Sequence, residues 1–285
     1  MLSATEVRPA QRRRRSPYSD KQHYQEYILQ RIEGYKNSIG RDELLRLGDE
    51  AASELQATSE GQFVLTEVLM LESVDRLIMK RLSLRPYRRW RQQFIRLRAA
   101  QRTPTHWGLE PHCPLAPLLP RLEPEDSALV VGTEAAATTY LLAAHDAAVT
   151  FIAADLGCVE RVESRMATEA LASMFESYVT QLDHALPEFL SFLFDVDVVV
   201  LDPSVLLDLS ARRRTELVQD LQARSRPGGI HVLLPTCKAI GPDALRSLYP
   251  GWSREEDTRR RRRTPESRRQ EGLVLCKPLC PPDTA

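Results

Sequence analysis

The sequence predicts an α/β protein, with a mostly parallel sheet in its C-terminal half and an α-helical domain before it. Three observations carry this. Between residues 127 and 235 short apolar runs alternate with amphipathic ones, the pattern of successive β-α units. The runs 128–131 and 196–201 are apolar and too short for helices, as strands covered on both faces are. Residues 20–102 instead carry apolar side chains at helical spacing.

Residues 1–19 are polar with an arginine run at 12–15 and are expected to be a disordered basic arm. Asp20 is placed to cap a helix reaching about residue 37, with Tyr24, Tyr27, Ile28, Ile32 and Tyr35 on one side. A second helix is expected at 42–55. A third, at 62–83 and capped by Thr58 or Ser59, is so broadly apolar that it should be the centre of a bundle. Pro86 opens a fourth, over 86–102, whose Tyr87, Trp90, Phe94 and Leu97 form a packing stripe opposite Arg85, Arg89 and Arg96. Those arginines lie either in water or against an anionic partner such as RNA or DNA. Residues 103–124 hold six prolines and read as the linker between a helical domain, 20–102, and an α/β domain, 125–285.

Within the α/β domain a strand at 128–131 ends at Gly132. A helix at 133–144, a strand at 149–153 and a helix at 159–175 follow, and a weaker strand at 178–182 runs into Asp183. The run 196–201 is the clearest buried strand and stops at Asp202-Pro203. Ser210 caps a helix at 211–224, and Pro227-Gly228-Gly229 leads into a strand at 230–234.

Composition narrows the class. The 285 residues are 42% hydrophobic and 27% charged, as in an ordinary globular chain, with no apolar run of membrane-spanning length. Five cysteines, an odd number in or beside strands, argue against a disulfide framework and point to the cytoplasm. Basic and acidic side chains balance at 39 each, so no overall field draws nucleic acid. His106, His112 and Cys113 match no zinc spacing, and no metal is expected. The sheet lacks the Gly-x-Gly-x-x-Gly of a dehydrogenase, the Gly-Lys-Ser/Thr of a phosphate loop and the Gly-x-Ser-x-Gly of a hydrolase. Cys158 and Cys237 read as small apolar fillers. Nothing in the sequence speaks to oligomeric state.

The order of these parts resembles the Rossmann-like S-adenosylmethionine-dependent methyltransferases. The shared features are a strand ending in a glycine turn, a strand followed by an acid, and Asp183 before Ala185-Leu186-Pro187. A Phe194-Asp195-Val196 strand and the Pro-Gly-Gly turn complete the set. The tail, with Tyr249-Pro250-Gly251-Trp252 and then 272–278, is similar to that family's closing antiparallel hairpin. The linker inside the hairpin, 254–270 with its run of arginines, is expected to be an exposed loop.

The resemblance implies binding of S-adenosylmethionine and methyl transfer to an acceptor it does not name. It also implies roles: the turn at Gly132 and Thr133 for the methionine part, Asp155 for the ribose and Asp183 for the adenine amino group. Asp202 would face the acceptor, since Asp202-Pro203-Ser204-Val205 partly resembles the Asp/Asn-Pro-Pro-aromatic turn of amino-group methyltransferases. The family's first loop carries several glycines, whereas Gly132 is followed by Thr133-Glu134-Ala135-Ala136-Ala137. A degenerate methyltransferase-like scaffold without catalysis is therefore the alternative.

Overall fold

Serine followed three residues later by glutamine starts the first helix. In the computed structural model α1 (Asp20–Ser38) is capped by Ser19 rather than by Asp20: the Ser19 hydroxyl accepts the Gln22 amide at 3.2 Å, and the Gln22 side chain accepts the Ser19 amide at 2.7 Å. This reciprocal pair satisfies two amide donors at once, which one aspartate could not do. The structure describes residues 19–58, 67–171, 174–183, 186–190, 193–235, 240–254 and 272–279. The expected basic arm and arginine-rich loop lie outside them, apart from Ser19 and Arg254 at their edges.

Two compact units divide the chain between Leu97 and Arg98, inside α4 (Tyr87–Gln101). In the first, α1, α2 (Arg41–Thr58) and α3 (Glu67–Arg81) enclose a small core of Ile32, Leu47, Ala51, Val74, Leu77 and Ile78. The described part of α3 buries one face only, because Val68, Leu69 and Leu71 are exposed. Trp90 of α4 is buried, stacked on Phe94 at 4.7 Å between centroids and 5.2 Å from Tyr24.

The second unit holds a seven-stranded sheet in the order β3-β2-β1-β4-β5-β7-β6. Its strands are β1 (Ser127–Val131), β2 (Ala148–Ala153), β3 (Phe175–Val179), β4 (Val196–Leu201), β5 (Ser225–Leu233), β6 (Ser253–Arg254) and β7 (Leu273–Cys276). The first five pair in parallel, while β7 runs antiparallel to both β5 and β6. The sheet is mostly parallel with an antiparallel C-terminal hairpin, and together with the N-terminal helices it gives the fold the resemblance implied.

Alternating side chains put the two faces of β1 and β4 into different cores. Ala128, Val130, Val198 and Val200 pack with α5 (Ala136–Ala144) and α6 (Leu156–Thr168); Leu129, Val131, Val199 and Leu201 pack with α7 (Ala211–Arg224) and α8 (Pro242–Ser247). The proline-rich stretch 103–124 contributes Trp107, Cys113, Leu115, Leu118 and Leu119 to the first of these cores. Its prolines shape short turns that carry apolar side chains inward, a use that composition does not distinguish from a linker.

Several boundaries differ from the sequence reading. β5 starts at Ser225 and takes Pro227-Gly228-Gly229 into the strand instead of beginning after them at 230, and α6 starts at Leu156 instead of 159. α6 stops at Thr168 because Ala170 adopts φ 54°, which a continuing helix excludes, so β3 begins at Phe175 rather than Tyr178. Thr133–Ala135 form a 3-10 turn, and α5 starts only at Ala136. In contrast, β4 and the Ser210-capped α7 fall where the pattern placed them.

Candidate functional site

From β1 the chain moves outward to β2 and β3, then crosses to β4 and β5 on the other side. In open α/β sheets the crevice outside the carboxyl ends at such a reversal is where ligands bind. Gly132 and Thr133 follow β1, Asp155 follows β2 and Asp202 follows β4, each just past the carboxyl end of its strand.

Gly132 ends β1 with φ 104° and ψ 154°, a backbone that side-chain-bearing residues rarely adopt. Its amide donates to Ile152 O at 2.9 Å, fastening the turn to β2. A Cβ added there would meet Asp202 Cβ at 2.5 Å and Val205 Cγ2 at 2.8 Å, so glycine is required by space as well as by φ. Thr133 and Glu134 next to it are exposed.

Asp155 follows β2 and caps α6, its Oδ1 accepting the Gly157 amide at 2.9 Å. The carboxylate stays 56% exposed, with Arg161 3.8 Å from Oδ2. The first turn of α6 reaches back to β1, because Cys158 Sγ lies 3.9 Å from Thr133 O. Burial pushes the Cys158 thiol pKa up, away from nucleophilic use. Asp183, half-buried, lies beyond the end of β3, on the far side of β2 from β1.

Asp202 is only 2% exposed. Its Oδ1 accepts the Ser204 amide at 2.9 Å, and its Oδ2 accepts the Ser204 hydroxyl at 2.6 Å and the Glu134 amide at 3.1 Å. The structure thus joins Gly132, Glu134, Asp202, Ser204 and Val205 into one packed cluster, with Asp155 one strand away. Sequence reasoning passed over Ser204 and the Glu134 amide. Aspartate before proline, with serine two residues on, is a capping signal that could have pointed to them.

Among the described residues no group of three or more His, Cys, Asp or Glu side chains could hold a metal ion, and no helix is long and apolar enough to cross a membrane. Arg85, Arg89 and Arg96 are exposed, and the Arg85 guanidinium bonds Gln93.

No protein-family model matches this chain, and no curated protein matches it. Solved structures do. A TehB-like SAM-dependent methyltransferase from Corynebacterium glutamicum is 14% identical over 67% of this chain and 97% of its own, with a TM-score of 0.43. The N-methyltransferase NodS from Bradyrhizobium japonicum is 15% identical over 57% of this chain and 93% of its own, at 0.42. A SAM-dependent methyltransferase from Thiobacillus denitrificans, in complex with S-adenosyl-L-homocysteine, is 17% identical over 45% of this chain, at 0.35. The chain spans only 50% of that last protein, and 61% of TehB from Haemophilus influenzae.

Proposed function

We propose that the carboxyl edge of β1 and β2 binds S-adenosylmethionine and that the protein transfers its methyl group to an acceptor. The observation that carries this is a pairing of two features. Gly132 holds a backbone only glycine takes easily at the topological switch, and at the end of the next strand Asp155 presents a carboxylate that is more than half exposed. A carboxylate there suits two ribose hydroxyls, each a donor. The turn formed by buried Gly132 and exposed Thr133 would take the methionine part, and Asp183 the adenine amino group. The cofactor would supply an activated methyl group, leaving the protein to align the acceptor. Calorimetric titration with S-adenosylmethionine and S-adenosylhomocysteine tests the reading; no heat and no thermal shift at millimolar ligand would refute it.

The second reading, a methyltransferase-like scaffold without catalysis, is favoured by the residue that follows Thr133. The exposed Glu134 side chain stands in the turn before α5, where its carboxylate would crowd and repel a ligand carboxylate. A wild type that binds neither compound, together with a Glu134→Gly variant that does, would support the scaffold. The exposed Arg85, Arg89 and Arg96 would supply the contact to any anionic partner, which binding to RNA at varied salt would reveal.

A further inference from the structure

The Asp202 carboxylate interacts with two elements. Its bonds to the Ser204 amide and hydroxyl are local and would serve any strand-ending turn. Its bond to the Glu134 amide reaches 68 residues back along the chain, to the turn after β1. The backbone repeats the link, since the Asp202 amide donates to Val131 O at 2.8 Å. The same side chain also sets the space in which Gly132 must fit, because its Cβ stands where a Cβ of residue 132 would be.

A base that removes a proton from an acceptor must come within about 2.6–3.2 Å of it. Asp202 is 2% exposed, and three of the roughly four lone-pair positions of a carboxylate are taken by donors within the protein. An acceptor has no path to it. We infer that Asp202 is a positioning residue of the cofactor site: it latches the turn after β4 onto the turn after β1 and so fixes Gly132 and Thr133. This rests on the S-adenosylmethionine reading above.

The strand pair contains its own control. At the amino ends of β1 and β4, Asp197 Oδ2 accepts both the amide and the hydroxyl of Ser127, each at 2.8 Å. That contact has the same chemistry on the same strands, at the end away from the site. Asp202→Asn keeps the shape but turns an amide group toward the Glu134 N–H or the Ser204 donors. S-Adenosylhomocysteine affinity, melting temperature and hydrogen exchange at the Glu134 amide should be measured in the full chain for Asp202→Asn and Asp197→Asn.

The expected result is an affinity loss of about tenfold or more in Asp202→Asn with faster Glu134 exchange, whereas Asp197→Asn lowers the melting temperature and leaves affinity within about threefold. Equal or tighter binding by Asp202→Asn overturns the inference while the cofactor reading stands. If the wild type binds nothing, the cofactor reading fails and this role goes with it; Glu134 exchange would still report the latch itself. Should Asp202→Asn not fold, Ser204→Ala removes one donor from the same oxygen. Faster Glu134 exchange with weaker binding supports the latch, and unchanged binding overturns it.

Discussion

The two ends of the β1–β4 pair are fastened alike and built differently. At each end an aspartate from β4 or its turn accepts an amide from the flank of β1: Asp197 from Ser127, and Asp202 from Glu134. At the amino end Asp197 also pairs with Arg226, and the positive-φ positions beside the strands, Glu125 at 75° and Asp195 at 55°, carry side chains. At the carboxyl end Asp202 is buried and forms no ion pair among the described residues, the chain needs a glycine at φ 104°, and Thr133 and Glu134 after it are exposed. Positive φ occurs at both ends, whereas only at Gly132 does the opposite turn also press so close that no side chain fits. Under the proposed function that close approach lies where the cofactor would bind.

The most severe way to test this difference is Gly132→Val. The new Cβ would collide with Asp202 Cβ and Val205 Cγ2, and valine resists positive φ. Overpacking and backbone strain together should cost about 2–4 kcal/mol in urea denaturation and abolish S-adenosylhomocysteine binding. Retained affinity in this variant would place the ligand elsewhere. The next largest effect is expected from Asp155→Ala, which removes an N-cap worth about 1 kcal/mol of stability. It should also weaken binding by roughly 1–3 kcal/mol, as loss of a hydrogen-bonding partner does. Asp197→Ala should lower stability alone, and any comparable effect on affinity would erase the distinction between the two ends.

Much of this arrangement was legible in the residues themselves. The apolar run of β4 and the Ser210 cap of α7 specify their elements locally, so pattern alone placed them. Gly132 and Asp155 were legible as strand-end residues for the same reason. The surroundings of Asp202 were not, because its contact with Glu134 depends on β1 and β4 becoming neighbours, which no local signal fixes. The proline-rich stretch read as a linker because proline content reports turns, not the burial of Trp107 or Leu115 between them. Ala170 at φ 54° ended α6 in a residue whose helix propensity gives no warning.

A further prediction concerns the other half of the sheet, where buried hydrogen bonds tie the start of β5 to the segment before β6. His231 is fully buried; its Nε2 lies 2.6 Å from Ser225 Oγ and its Nδ1 3.1 Å from the Tyr249 hydroxyl. The Ser225 hydroxyl donates to Leu221 O, so it accepts from Nε2–H, and the Tyr249 hydroxyl then donates to Nδ1. Burial, and secondarily the Lys277 charge, lower the imidazole pKa to about 3. The unfolded chain takes up this proton below about pH 6.5 and the folded protein does not until about pH 3, so the unfolded state binds more protons between them. Stability from this group is therefore full above pH 6.5 and falls as pH drops toward 3. Denaturation at pH 7.5 and pH 5.5 should show a larger loss for wild type than for His231→Gln, and this window lies above the titration of ordinary carboxylates. Equal losses would mean that the network opens to water. Asp202, at the other end of the fastening, should leave this difference unchanged.

The smallest effect is expected in the helical unit. Arg89 and Arg96 are exposed on α4, and removing them takes nothing from the buried core around Ile32 and Leu77. Arg89→Ala with Arg96→Ala should leave the melting temperature within error of wild type, as exposed substitutions usually do. If these side chains meet phosphates, wild-type binding to an RNA panel should weaken steeply as salt rises, and each substitution should reduce the logarithmic slope by about one. The slope is the informative quantity, because a general loss of affinity could follow from any disturbance of α4, whereas a unit change in counterion release reports a single phosphate contact. Binding that ignores salt, or a slope unchanged by both substitutions, would leave these arginines as solvated charges and confine the ligand-binding case to the carboxyl edge of the sheet.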